Sequence, residues 1–307
     1  MRTAVIFPGQ GAQYVGMATE LAAREPLVAE TLAEADEVLG LPLSRWIAEG
    51  PAEQLAATAV TQPAVLAVSV AYWRVLRRRL PELVPIGAAG HSLGEYSALV
   101  AAGAVAFADA LRLVHLRGRL MQEAVPRGEG GMLAVLGLDE AQVRALCDQA
   151  RGVDVLDPAC FNGPGQIVVA GHAAALARLA ERAAAAGAMN TVALDVSAPF
   201  HTRLLEPAGR GLERALAGAP IHRPAFPVVQ NVDTDPGEDP EAIRRNLVLQ
   251  VTLPVRWEGC ARRLIAMDAE RAIEVGPGNT LTGLYRRIVR RFPVITLDRT
   301  GAWDELA

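Results

Sequence analysis

Pro85-Ile86-Gly87-Ala88-Ala89-Gly90-His91-Ser92-Leu93-Gly94-Glu95 runs from a short apolar segment straight into G-x-S-x-G. Pro85 to Ala89 reads as a buried strand and Ser92 to Ala102 as the helix that follows. A serine at such a junction sits in a strained turn, its oxygen exposed at the sheet edge and the positive end of the helix beneath it. Glycine is required on both sides because a side chain there would clash with neighbouring backbone. G-x-S-x-G also arises by chance in ordinary strand-helix turns. The strand-turn-helix setting is what marks Ser92 as a candidate nucleophile, with the Leu93 amide placed to stabilise an oxyanion.

Outward from this elbow the same alternation continues. Thr3 to Phe7 is a β-type run ending in the loop Pro8-Gly9-Gln10-Gly11. Helical spacing fills most of Met17 to Leu80, and Thr61-Gln62-Pro63 is expected to open a long apolar helix, since proline suits a first turn. Arg77-Arg78-Arg79 near its end suits the negative helix terminus better than it suits a nucleic-acid patch. Strands alternating with helices predict an α/β fold with a parallel sheet. Between Val125 and Val192 the texture changes. Strands at 132–136, 154–156, 166–170 and 190–194, with helices at 139–150 and 173–186, make a β-α-β-β-α-β unit. The expected organisation is a large subdomain from residues 1–124 and 193–307, with 125–192 inserted as a small one.

Composition narrows the class. The 307 residues are 51% hydrophobic and 21% charged, as in a globular protein, and the net charge of −4 gives no reason to expect nucleic acid. All 30 basic residues are arginine, which removes lysine chemistry from consideration. Three scattered cysteines, Cys147, Cys160 and Cys260, suggest neither a disulfide framework nor a zinc site. The first residues turn into a Gly/Pro loop too soon for a signal peptide. Other apolar stretches are broken before roughly 20 residues, so no membrane partner and a cytoplasmic location are expected.

A serine nucleophile needs a base. Of five histidines, His91 adjoins Ser92 and is expected to point away from it, while His115, His172 and His222 lie in structural or exposed contexts. His201 follows Ser197-Ala198-Pro199-Phe200 beyond a strand, where catalytic groups collect. A triad acid is not legible: Asp148, Asp154, Asp157 and Asp195 all fall between the serine and His201, and none can be chosen.

Six separated motifs then add up. Phe7-Pro8-Gly9-Gln10-Gly11, Gly90-His91-Ser92-Leu93-Gly94-Glu95, Arg117 within Leu116 to Glu123, Asn162-Gly163-Pro164-Gly165-Gln166, Phe200-His201-Thr202 and Glu274-Val275-Gly276-Pro277-Gly278 occur in this order. Between residue 3 and about residue 298 the chain resembles the malonyl-CoA:acyl carrier protein transacylases and the related acyltransferase domains of polyketide synthases. The resemblance implies an α/β-hydrolase-like body with a ferredoxin-like subdomain. It implies Ser92 as nucleophile and His201 as general base, oriented by the main-chain carbonyl of Gln250 instead of an acid. It further implies backbone amides of Gln10 and Leu93 in the oxyanion hole.

The same resemblance gives Arg117 to the free carboxylate of malonate, which suits a guanidinium's two parallel donors. Met121, Asn162 and Phe200 are expected to line the pocket. In polyketide acyltransferases phenylalanine before the histidine goes with malonyl, although in the tetrad Ala198-Pro199-Phe200-His201 the proline departs from one common form. The expected partners are malonyl-CoA and, transiently, acyl carrier protein, in fatty acid synthesis or, alternatively, a polyketide assembly line. An acyl-thioester hydrolase would share Ser92 and His201 but would not need Arg117. No metal or cofactor is implied, coenzyme A being a carrier of substrate.

Overall fold

The computed structural model describes residues 1–299, 301–303 and 306; the remaining end of the 193–307 segment, residues 300, 304, 305 and 307, lies outside them. In chain order the strands are β1 (Thr3–Phe7), β2 (Gly87–Gly90), β3 (Gly130–Leu136), β4 (Leu156–Gly163), β5 (Gln166–His172), β6 (Asn190–Ala193), β7 (Val228–Val229), β8 (Pro236–Gly237), β9 (Arg271–Glu274) and β10 (Val294–Thr296). They form a six-stranded sheet, β10-β9-β1-β2-β7-β8, and a four-stranded sheet, β4-β5-β3-β6. The fold class is α/β, as the alternation of strands and helices predicts.

In the larger sheet every pairing except β7 with β8 is parallel. All five residues of β1 are buried. That is why Thr-Ala-Val-Ile-Phe is continuously apolar: helices cover both faces, so no alternation is needed. β2 is Gly-Ala-Ala-Gly, a poor strand by propensity. It forms because it is held on both edges, by β1 and β7. The carboxyl ends of β1, β2 and β7 lie along one rim, where open parallel sheets place their ligands.

The smaller sheet is antiparallel throughout, with the order of a split β-α-β unit. Its residues alternate between two cores. Leu133, Val135, Ile167 and Val169 meet the helices Glu140–Arg151 and Ala173–Ala185. Met132, Ala134, Val168 and Ala170 face the main core instead. Asp139 caps its helix through a capping box, accepting from the Gln142 amide at 2.8 Å while Gln142 Oε1 accepts from the Asp139 amide at 2.9 Å.

Two elements differ from their sequence expectations. β4 runs over Leu156–Gly163, not 154–156, and includes Pro158 and Asn162, which disguise it. Register shifts at Pro158/Cys160 and Phe161/Gly163 absorb those residues.

The long helix spans Thr58–Arg79, so Pro63 lies inside it and not in its first turn. Proline cannot donate to the Ala59 carbonyl one turn back. His115 Nδ1 takes that carbonyl instead, at 2.9 Å, which explains a histidine on an apolar helix. His115→Ala is therefore expected to destabilise the protein by about 1 kcal/mol in urea unfolding, the net worth of one such bond. An unchanged midpoint would contradict the compensation. By length and composition this helix could cross a membrane, but 89% of its most apolar window is buried inside the protein. Its apolarity belongs to the core.

Arg78 and Arg79 at its end pair with Glu25. Arg77 bonds the Leu83 carbonyl and stands over the Trp73 ring.

Candidate active site

Ser92 leaves β2 with φ 52°, a left-handed conformation unusual outside glycine. The close packing around it shows why both neighbouring glycines are needed. A Cβ on Gly90 would stand 1.9 Å from the Gly94 carbonyl carbon, and one on Gly94 would stand 2.2 Å from the Phe7 oxygen. The Ser92 amide donates to Asn231 Oδ1 at 2.7 Å, and Asn231 Nδ2 donates to the Gly90 carbonyl at 2.7 Å, clasping the elbow from the end of β7.

Ser92 Oγ lies 2.9 Å from His201 Nε2, and His201 Nδ1 lies 2.7 Å from the Gln250 carbonyl. A carbonyl only accepts, so Nδ1 carries the proton and bare Nε2 accepts from the serine hydroxyl. No aspartate is required to set that tautomer. His201 also has a positive φ, 61°, in a turn closed by Thr202 Oγ1 donating to the Pro199 carbonyl. It is followed by a 3₁₀ turn, Arg203–Leu205, before the helix Glu206–Ala217 begins.

Burial, reinforced by the Arg117 charge, pushes His201 down to about 3. The sign matters for activity. A depressed pKa keeps the imidazole unprotonated, and competent as a base, well below neutral pH. The pH profile of kcat/KM for serine acylation is therefore expected to lack an inflexion at the ordinary histidine value near 6.5. An acid limb tracking that value would contradict the geometry.

Arg117 projects from the helix Phe107–Glu123 and is 1% exposed. Its Nη2 donates to Ser92 Oγ and to Gln250 Oε1, each at 3.0 Å, and Nη1 donates to Gln62 Oε1 at 2.8 Å. Among the described residues no carboxylate forms an ion pair with it, and Nε has no partner. A buried guanidinium held only by neutral acceptors is an unfinished charge pair. Glu95, fully buried behind Gln250, is itself pushed up to about 7 by burial.

These groups open into one cavity of about 190 Å³. Gln10, Leu93, Met121, Asn162 and Phe200 line it together with Ser92, His201 and Arg117, so the structure brings the sequence-derived candidates to one place. Gln250 reaches the same groups from behind through its hydrogen bonds. The Gln10 side chain bonds Thr58 Oγ1 at 3.3 Å, tying the loop after β1 to the long helix.

His91 adjoins Ser92 in the chain but is engaged elsewhere. Its ring meets Asn162 and Trp257 rather than Ser92, with Nε2 2.9 Å from Asn162 Oδ1 at the wall of the same cavity. The β4 bulge turns Asn162 toward the elbow and so allows this contact across the two sheets. Gly276-Pro277-Gly278 shapes a loop: buried Glu274 accepts from the Leu281 and Thr282 amides, both at 2.9 Å, and thereby fixes the helix Thr280–Ile288 whose Leu281 and Leu284 wall the cavity.

Sequence reasoning missed Gln62, Asn231 and the structural role of Glu95. A polar residue in the middle of the apolar run at Gln62 was the one available signal.

The acyl transferase domain family model matches residues 4–297. The malonyl CoA-acyl carrier protein transacylase of Salmonella typhimurium is 47% identical over 302 residues, covering 97% of this chain and 96% of that protein. The transacylase of the same name from Escherichia coli is 46% identical over 299 residues, with 97% and 96% covered. Among solved structures, an acyl carrier protein S-malonyltransferase from Vibrio cholerae superposes with a TM-score of 0.97 at 43% identity over 100% of both chains. A malonyl-transacylase solved in complex with its type II PKS acyl-carrier protein gives the same TM-score and identity, covering 100% of this chain and 99% of that one.

Proposed function

The chain belongs to the acyl transferase domain family, and from that footing we propose that its cavity moves a malonyl group from malonyl-CoA to the phosphopantetheine thiol of acyl carrier protein. One observation carries the choice of acyl group: a buried guanidinium, lacking a carboxylate partner among the described residues, 3.0 Å from the nucleophilic oxygen. A malonyl carboxylate supplies the missing partner through two parallel bonds. A plain esterase would have no use for a buried cation there, and leaving it unpaired is costly.

The steps balance on this chain's own groups. His201 Nε2 takes the Ser92 proton as Oγ attacks the thioester carbonyl. The C–S bond breaks, and the departing coenzyme A sulfur takes the proton from Nε2. The carrier thiol then gives its proton to Nε2 and attacks the malonyl-serine ester, and Ser92 Oγ recovers that proton as the C–O bond breaks. The Gln10 and Leu93 amides stabilise the oxyanion in both halves, each donor being worth about 3 kcal/mol. The balance requires no metal and no redox group, so we assign no cofactor.

Phe200, 6% exposed and lining the cavity next to His201 in the chain, supports malonyl over its methylated homologue by the bulk of its ring. We also propose that residues 125–192 act as a small subdomain closing over the elbow through Asn162 and Val168. The three cysteines are free and buried, which suits a reducing cytoplasm. Fatty acid synthesis is the first reading of the pathway. A stand-alone polyketide malonyltransferase is the second, favoured by the likeness to a transacylase solved with its type II PKS carrier.

Incubation with labelled malonyl-CoA, with and without carrier protein, tests the proposal by intact mass. A malonyl adduct on Ser92 that passes to the carrier supports it, and rapid release of free malonate overturns it.

A further inference from the structure

The motif that carries Ser92 ends in Glu95, which takes no part in the steps above. Glu95 lies in the first turn of the helix Gly94–Ala101 with no exposure to solvent. Its Oε2 accepts two hydrogen bonds, from the Asn231 amide at 2.8 Å and from Gln250 Nε2 at 2.9 Å. Its Oε1 has no partner among the described residues.

Gln250 Nε2 also lies 3.1 Å from the Ser92 carbonyl and 3.3 Å from Asn231 Oδ1. All three neighbours are acceptors, so the amide nitrogen must face them. Its oxygen is thereby left to receive Arg117 Nη2 at 3.0 Å. That same nitrogen reaches Ser92 Oγ, Ser92 reaches His201, and His201 returns to the Gln250 carbonyl. The hydrogen bonds form a ring that begins and ends on Gln250. Were the amide turned over, its NH2 would oppose the guanidinium, donor against donor. Glu95 makes the shortest of the bonds that prevent this, and it also holds Asn231, which supplies another.

We propose that Glu95 is a positioning residue for acyl selection: by fixing the sense of the Gln250 side-chain amide, it holds the Arg117 guanidinium at Ser92 for a carboxylated acyl group. The inference rests on the reading that Arg117 receives the substrate carboxylate.

Ser92 loading from malonyl-CoA and from acetyl-CoA, followed by intact mass, tests it in E95M and E95Q. Methionine fills the space but accepts almost nothing. E95M is expected to lose about tenfold more kcat/KM with malonyl-CoA than with acetyl-CoA, mainly through KM, because only the charged acyl group needs the oriented guanidinium. Glutamine can put its own oxygen where Oε2 stands, so E95Q is expected to restore the wild-type malonyl-to-acetyl ratio. A folded E95M with the wild-type ratio overturns the proposal, as does equal loss on both substrates in both variants. If E95M does not fold, E95D, which withdraws the carboxylate by one methylene, is held to the same ratio. A wild-type protein that forms no malonyl adduct would instead sink the functional reading, so the two failures are separable.

Discussion

His201→Ala is expected to slow malonylation of Ser92 by about 10⁴-fold, the upper range for loss of a positioned general base. The serine hydroxyl would keep its Arg117 contact at 3.0 Å but lose the acceptor at 2.9 Å that takes its proton. Among the described residues no second base stands ready. His91 lines the same cavity, but its Nε2 is engaged with Asn162 and burial holds its pKa below the usual range. Glu95 is separated from Ser92 Oγ by the Gln250 amide. Quenched-flow mass spectrometry of the acyl-enzyme measures the rate directly. A loss smaller than about tenfold would remove His201 from the reaction. The variant should remain folded, since the side chain removed is neutral, and the freed Gln250 carbonyl costs about 1–3 kcal/mol.

Arg117→Ala is expected to reverse acyl preference rather than abolish acylation. The malonyl carboxylate would enter a buried site without its cation, and an unpaired buried charge costs about 3–5 kcal/mol. At about 1.4 kcal/mol per decade, kcat/KM for malonyl-CoA should fall by about 10²–10⁴. Acetyl-CoA carries no carboxylate and escapes that penalty. Arg117→Lys should recover only part of the loss, because an ammonium is a point charge without the planar fork that meets Gln62, Gln250 and Ser92 together. Hydrolysis of the acyl-enzyme should rise in the alanine variant, since the acyl group is no longer fixed away from water. The comparison is initial rates with the two thioesters, plus release of free malonate without carrier. A variant that kept its preference for malonyl over acetyl would remove Arg117 from substrate choice.

Much of the site was legible because its signals are local. The elbow is defined by glycines two residues either side of Ser92, and the structure shows backbone within 2.2 Å of where their side chains would be. The small sheet was legible from short apolar runs, since its two faces meet different cores and β3 and β5 are apolar on both sides. Where β4 carries a proline and two register shifts, that pattern failed, and with it the aim of Asn162. Helix register failed at Pro63 for a related reason. A rule about first turns is sound until a distant side chain, His115, satisfies the carbonyl that proline leaves free.

The residue types and the chain order of the Ser-His chemistry were written in the sequence by itself, a serine in an elbow and a histidine beyond a strand, whereas Arg117 was marked only by the family resemblance and its burial only by the structure. The first two follow from turn sterics and strand-end position, which act over a few residues. Only the tertiary structure decided how they are joined. Asn231 clasps Ser92 across 139 residues, Gln250 Nε2 reaches the Ser92 carbonyl across 158, and Gln62 meets Arg117 across 55. Hydrogen-bond partners at such separations are set by where the sheets and helices cross, and no local pattern records them. The missing triad acid is the clearest case. His201 Nδ1 meets the main-chain carbonyl of Gln250 where a triad would place an acid, and a carbonyl, present in every residue, leaves no mark in a sequence.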